Sequence, residues 1–339
     1  MFKHLILSLL ILPAGLAAVN AFQPATLTRH EFSEQHMGAM FRIVLYAPDE
    51  GAARKAARAA FARVAELNQI MSDYQPTSEL MNLCEKAGGQ PVGVSVDLFE
   101  VLRKANEFSK MTDGAFDVSI SPVVRLWRRA RRNKELPKAE DIKQALQLVD
   151  YRNLQIDPKR RTVRLQKEGM LLDLGSIAKG YAADAALAVL RRHGIARALV
   201  AAGGDIAVGD PPPNERGWKV GIAPLKNPDA APEHYLLLKN AGVSTAGDAE
   251  QYLEIGGKRY SHIVHPKTGM AQLGRRSVTV IAPNATTSDA LDTGCCVLGV
   301  ERGLKLIDGR TELAALFVFE TNGRVATTAS KRFAKYLWK

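Results

Sequence analysis

The block from Met40 to Tyr46 reads as a strand, and Pro48-Asp49 directly after it opens a long Ala/Arg helix running to about Met71. Ser95 stands where a helix N-cap belongs, and Asp113-Gly114 closes that helix. Pro122 takes a favourable first-turn position in the next one. Residues 138–149 carry a further helical pattern. Strands are expected near 153–157, at 162–166 and from Met170 to Leu174. A helix from Ile177 to His193 follows, with Gly194 as its terminating glycine, and then a buried-type strand from Arg197 to Ala201.

The second half is richer in strands. Trp218–Ala223 and His234–Lys239 fit that pattern, and Gln251–Ile255 with Arg259–Val264 forms a hairpin around Gly256-Gly257. Ser277–Ala282 and Ala315–Phe319 complete the set, with a helix from about Thr287 to Leu298 between them. Asp210-Pro-Pro-Pro-Asn-Glu-Arg-Gly217 reads as a surface loop. Helices and strands mix without a regular βαβ alternation. This predicts an α+β fold, mixed or antiparallel sheets packed with helices, rather than a doubly wound one.

The N-terminal stretch stands apart from this pattern. Lys3 and His4 precede an apolar run from Leu5 to Val19, short for a membrane span, that ends in small residues up to Ala21. Residues 1–21 are therefore expected to be a signal peptide and 22–339 the folded domain, with export to the periplasm or the outer face of the cytoplasmic membrane. An uncleaved N-terminal anchor is the alternative. The three cysteines, Cys84, Cys295 and Cys296, make no disulfide framework and lack histidines at metal spacing, so they read as small buried hydrophobes. The net charge is +11, and the densest basic run is Arg125-Leu-Trp-Arg-Arg-Ala-Arg-Arg-Asn-Lys134. In an exported protein that excess does not point to nucleic acid. A basic helix of this kind could be a solvated face, or could meet anionic headgroups at the membrane periphery or an acidic partner.

Three segments carry candidate chemistry. In Thr286-Thr-Ser-Asp-Ala-Leu-Asp-Thr293, a helix puts Asp289 and Thr293 on one face, with Asp292 nearly alongside. A carboxylate beside a hydroxyl suits a hard cation such as Mg²⁺, although the same pair also serves as a cap or a solvated face. In Leu172-Asp-Leu-Gly-Ser-Ile-Ala-Lys-Gly-Tyr-Ala-Ala-Asp184, a strand ending in Asp173 leads through a glycine turn into a helix. Its free N–H groups, with Lys179, offer a place for phosphates. In Tyr260-Ser-His-Ile-Val-His-Pro-Lys-Thr-Gly269, His262 and His265 lie three apart on a strand and so point to opposite faces, which argues against one shared metal. Gly203-Gly204-Asp205 and Ser244-Thr-Ala-Gly-Asp248 are further glycine turns that let backbone approach a ligand closely.

Together, from about His36 to Thr293, these segments resemble the FAD:protein FMN transferase family called ApbE. Met37-Gly-Ala-Met40, Asp73-Tyr-Gln-Pro-Thr-Ser-Glu-Leu80 and Gly114-Ala-Phe-Asp117 with Pro122 and Trp127 stand in the family's order. They are followed by Asp173–Tyr181, Gly203–Asp205, Thr245–Gly247, His262 with Pro266–Gly269, and Asp289 through Thr293. Ala39, Ser176, His265 and Asp292 depart from the family's usual residues, and Asp292 could add a metal ligand or shift the metal. The resemblance implies a Mg²⁺-dependent enzyme that splits FAD, attaches FMN to a threonine or serine hydroxyl of an acceptor protein and releases AMP. It implies that Asp289, Thr293 and a carbonyl near Ser176 hold Mg²⁺. Met40, Tyr74, Glu79, Asp117, Lys179, Gly247 and Thr268 would line the FAD site. His262 would be the catalytic base, with Asp289 as the alternative proton acceptor. The acceptor would be an exported flavin-carrying subunit of a respiratory electron-transfer complex. FAD pyrophosphatase activity, yielding FMN and AMP, and non-catalytic FAD binding are the competing readings.

Overall fold

The computed structural model describes residues 26–227, 230–247, 251–321 and 323–339. The expected export segment, residues 1–21, lies outside them, as does Asp248. The first half of the chain runs β1 (Thr28–His36), β2 (Ala39–Ala47), α1 (Glu50–Met71), α2 (Glu79–Glu85), β3 (Val92–Gly93) and α3 (Val96–Met111). It continues through α4 (Ser121–Asn133), α5 (Ala139–Leu146), β4 (Leu154–Asp157), β5 (Thr162–Leu165) and α6 (Ala178–Arg192). Then come β6 (Ala198–Ala202), β7 (Asp205–Val208), β8 (Trp218–Ile222), β9 (His234–Leu238) and β10 (Ala241–Gly247). The chain ends with β11 (Tyr252–Ile255), β12 (Lys258–Val264), β13 (Ala271–Leu273), β14 (Arg276–Ala282), α7 (Ala285–Asp308), β15 (Ala314–Thr321) and β16 (Arg324–Ala329).

The fold is α+β. An eight-stranded sheet in the order β1-β2-β6-β7-β10-β14-β15-β16 is antiparallel at every pairing. Strand alternation splits its residues between two cores. Phe41, Ile43 and Leu45 face helices α1, α3, α6 and α7, with Ala56, Ala60, Val64, Leu102, Leu187 and Leu291 packed among them. Val44, Leu199 and Val243 face the other way, onto the β8–β9 hairpin and Phe333. A third, smaller core joins Val123 and Trp127 of α4 to Leu253, Tyr260 and Val264 of the β11-β12-β13 sheet.

The expected caps are present. Asp49 accepts from Ala52 N–H at 2.8 Å, and Ser95 accepts from Leu98 N–H at 3.2 Å. Gly256 and Gly257 turn the β11–β12 hairpin at φ of 58° and 71°, the left-handed pair that a two-residue turn requires. All three cysteines are buried.

The expected strand from Met170 to Leu174 is absent. Those residues thread the core unpaired, with Met170 and Leu172 fully buried and Asp173 N–H bonded to Val118 C=O at 2.8 Å. Burial alone produced the strand-like apolar pattern. His265 lies one residue beyond the end of β12, in a turn, so strand alternation does not relate it to His262.

Candidate functional site

The site is built where α6 crosses α7. Asn284 caps α7 by accepting from Thr287 N–H at 2.9 Å. Asp184 of α6 satisfies two more first-turn donors, Ala285 N–H at 2.9 Å and Thr286 N–H at 2.8 Å. The helices touch through Gly180, where an added Cβ would lie 2.3 Å from the Ala285 carbonyl oxygen and 2.8 Å from Asp289 Cβ. This contact brings the Gly180 N–H, in the first turn of α6, to Asp289 Oδ2 at 2.8 Å. Thr293 follows Asp289 by one helical turn on the same face of α7. Ser176 sits in the turn that leads into α6.

Charge is concentrated there. Asp205, at the start of β7 behind the tight Gly203 turn (φ 64°), is buried in an ion pair with Lys179. Burial, reinforced by the Asp205 charge, pushes the Asp289 carboxyl up to about 8. Burial, with Asp289 and Asp205 nearby, also raises Asp292 well above the usual carboxylate range. Burial works to lower the Lys179 ammonium, but Asp205 and Asp289 outweigh it and hold it above its ordinary value. Three buried carboxylates thus share one ammonium.

The donor set fits Mg²⁺, the metal that the resemblance implies. Among the described residues Asp292 Oδ1, buried on a residue 2% exposed, has no hydrogen-bond partner, and Asp289 and Thr293 supply hard oxygens one turn apart. Among the described residues no three His, Cys, Asp or Glu side chains form a metal cage.

The remaining expected residues are placed as follows. Met40, 54% exposed, adjoins the same sheet end, its carbonyl accepting from Gly203 N–H at 3.3 Å. Gly247 ends β10, where a Cβ would press on Arg276 O and Ser277 Cβ at 3.0 Å. Tyr74 is 74% exposed, with the Arg128 guanidinium over its ring at 4.5 Å. Glu79 is turned to local structure, accepting from Ser95 N–H at 2.6 Å. Asp117 likewise spends both oxygens internally, on Ser119 N–H (2.8 Å), Ser119 Oγ–H (2.7 Å) and Tyr151 N–H (2.9 Å). Burial pushes its carboxyl up to about 6.

The two histidines separate clearly. His262 lies on β12, which packs against α7, with Nδ1 3.2 Å from the Gln251 carbonyl oxygen. A carbonyl only accepts, so Nδ1–H is the donor in this contact. His265 instead accepts the Lys267 N–H on Nδ1 at 3.1 Å inside the turn, and burial lowers its pKa. That turn, which carries exposed Thr268, is tied to α4 by the Trp127 indole N–H donating to Gly269 C=O at 2.8 Å.

Three long-range pairings escaped sequence reasoning: Asp205 with Lys179, Asp184 with the start of α7, and Arg128 with Asp73 and Asp173. Their separations of 26 to 102 residues carry no periodic signal. Only the presence of acidic residues inside apolar stretches marks them.

Comparison with known proteins gives a consistent result. Residues 37–317 match the family model described as the ApbE family. A Klebsiella pneumoniae protein named FAD:protein FMN transferase is 32% identical over 294 residues, covering 85% of this chain and 89% of its own. A Treponema pallidum protein of the same name is 32% identical over 310 residues, covering 87% and 86%. The crystal structure of the ApbE protein from Thermotoga maritima superposes with a TM-score of 0.82 at 30% identity, covering 92% of this chain and all of that one.

Proposed function

The chain belongs to the ApbE family, and on that premise we propose that this FAD:protein FMN transferase is divalent-cation dependent, moves FMN onto a threonine or serine hydroxyl of an acceptor protein and releases AMP. The observation that carries the reading is the buried imbalance at the α6–α7 crossing, where Asp205, Asp289 and Asp292 face one ammonium and Asp292 Oδ1 lacks a partner. Burial and mutual repulsion raise the Asp289 and Asp292 carboxyls so that protons neutralise them, and a cation bound there would take the place of those protons.

Asp289 and Thr293 would hold Mg²⁺, aided by a backbone carbonyl near Ser176. When bound, Mg²⁺ supplies positive charge against the pyrophosphate oxygens and the charge that develops on the departing phosphate. Lys179, fixed by Asp205, adds a second positive charge at the α6 N-terminus, where free N–H groups favour phosphate. Met40 and Tyr74 pack on the planar rings of FAD. The acceptor hydroxyl is a poor nucleophile until its proton is removed, and His262 takes that proton. The hydroxyl oxygen bonds to the FMN-side phosphorus as the bond to the AMP oxygen breaks, so AMP leaves. The apolar run before Ala21 supports a periplasmic reaction with an exported flavoprotein subunit as acceptor.

The test is to incubate the protein with FAD, Mg²⁺ and a candidate acceptor and to weigh the acceptor by mass spectrometry while measuring AMP. Transfer requires one FMN gained for each AMP released. AMP appearing with free FMN and an unchanged acceptor would establish hydrolysis instead.

A further inference from the structure

Arg128 projects from the basic helix α4 but does not point its charge into solvent. Its Nη1 is paired with Asp73 and its Nη2 donates to Asp173 Oδ2 at 2.7 Å, and both carboxylates are largely buried. The two acids come from segments 100 residues apart in the chain, since 173 − 73 = 100. Asp73 immediately precedes Tyr74. Asp173 immediately precedes the turn to α6, where its Oδ1 accepts the Gly175 N–H at 2.8 Å. A guanidinium suits this position because its planar fork bridges two carboxylates, which a single ammonium does poorly.

The same guanidinium lies 4.5 Å from the Tyr74 ring centroid. One face of the ring is thereby held by a cation, and the residue remains 74% exposed. The backbone beneath is fixed as well. Ser72 Oγ accepts from Tyr74 N–H at 3.2 Å, and Ser78 Oγ–H donates to Ser72 C=O at 2.6 Å. An exposed aromatic ring pinned from below is a preorganised surface for a second planar ring, because little side-chain freedom remains to be lost on binding.

We propose that Arg128 is a positioning residue that presents Tyr74 as a stacking platform for a planar ring of FAD, and that its bridge to Asp173 sets this platform in register with the turn carrying Ser176 and the first turn of α6 carrying Lys179. The inference rests on the reading that Tyr74 faces FAD. Arg128 touches no reacting atom and acts through its neighbours.

A double-mutant cycle on FAD affinity, read by flavin fluorescence, tests it using the whole chain with Arg128→Met, Tyr74→Leu and the combination. Tyr74→Leu is expected to weaken FAD binding about tenfold or more, and Arg128→Met about tenfold, the scale of a desolvated cation–π contact. In the Tyr74→Leu background the further loss from Arg128→Met should fall below twofold, because the two act as one unit. An Arg128→Met penalty of the same factor in both backgrounds would overturn the proposal and leave Arg128 a fold-stabilising residue. Unchanged affinity in Tyr74→Leu would overturn the prior reading that FAD lies on Tyr74, a separate failure. Arg128→Met leaves two buried carboxylates without their cation. Should it not fold, the charge-neutral Arg128→Met/Asp73→Asn/Asp173→Asn variant runs the same cycle, with the same two outcomes deciding. Arg128→Lys should fail to restore the wild-type affinity, whereas full restoration would contradict the two-carboxylate bridge.

Discussion

The backbone N–H of Gly180 donates to Asp289 Oδ2 at 2.8 Å, so the first turn of α6 holds the carboxylate that α7 presents. This bond exists only because position 180 has no side chain, since a Cβ there would sit 2.3 Å from the Ala285 carbonyl oxygen. The helix crossing, the Asp289 orientation and the nearby Lys179–Asp205 pair are therefore one arrangement.

Gly180→Ala should force α6 and α7 apart. Overpacking of this kind typically costs ~1–3 kcal/mol. Urea unfolding is expected to show that loss, and transfer rates measured on fully folded protein should fall as well because Asp289 loses its donor. A variant as stable and as active as the parent would show that the crossing is not what positions Asp289.

Asp117 carries a pH signature. Its carboxyl rises from an ordinary 3.8 to about 6 in the folded protein, through burial that outweighs its hydrogen bonds to Ser119 and Tyr151. Between these values the folded state binds more protons than the unfolded state, so stability is greatest below the unfolded value and falls as pH rises to about 6. The full span corresponds to about 3 kcal/mol. Denaturant midpoints across pH 4 to 6 should fall more for the parent than for Asp117→Asn. Parallel profiles would mean that Asp117 does not titrate in this window.

His262 and His265 should respond very differently. A general base contributes ~10²–10⁴-fold to rate, so His262→Ala should lose transfer on that scale with FAD binding largely kept. His265 accepts the Lys267 N–H within its turn, and His265→Ala should reduce transfer less than tenfold while costing about 1 kcal/mol of stability. The comparison is of flavinylation rates at saturating FAD and Mg²⁺. A dead His265→Ala beside an active His262→Ala would reverse the assignment.

The elements legible in the sequence were those with local causes. Asp49 and Ser95 cap their helices, and Gly256-Gly257 turns its hairpin. The i,i+4 spacing of Asp289 and Thr293 placed both on one face of α7. Elements whose cause lies elsewhere in the chain were harder to see. β1 and β16 are edge strands, exposed along much of their length, so neither shows a clean apolar alternation. The β10 strand is Ala-Gly-Val-Ser-Thr-Ala-Gly because α7 lies almost on its backbone, with a Gly242 Cβ falling 2.2 Å from Ala285 N. Close packing there selects small residues and erases the hydrophobic signal of a central strand. At Met170–Leu174 the reverse holds, since full burial without pairing mimics a strand.

The proposed cation site lies on α7, at Asp289 and Thr293. The most direct measurement is the rate of FMN transfer to an acceptor in Mg²⁺, in EDTA and with Asp289→Asn, which keeps an oxygen able to accept the Gly180 N–H. A cation site at Asp289 predicts a folded Asp289→Asn protein with transfer reduced by ~10²-fold or more, and loss of transfer in EDTA that added Mg²⁺ restores. Transfer undiminished in EDTA, or by Asp289→Asn, would contradict it.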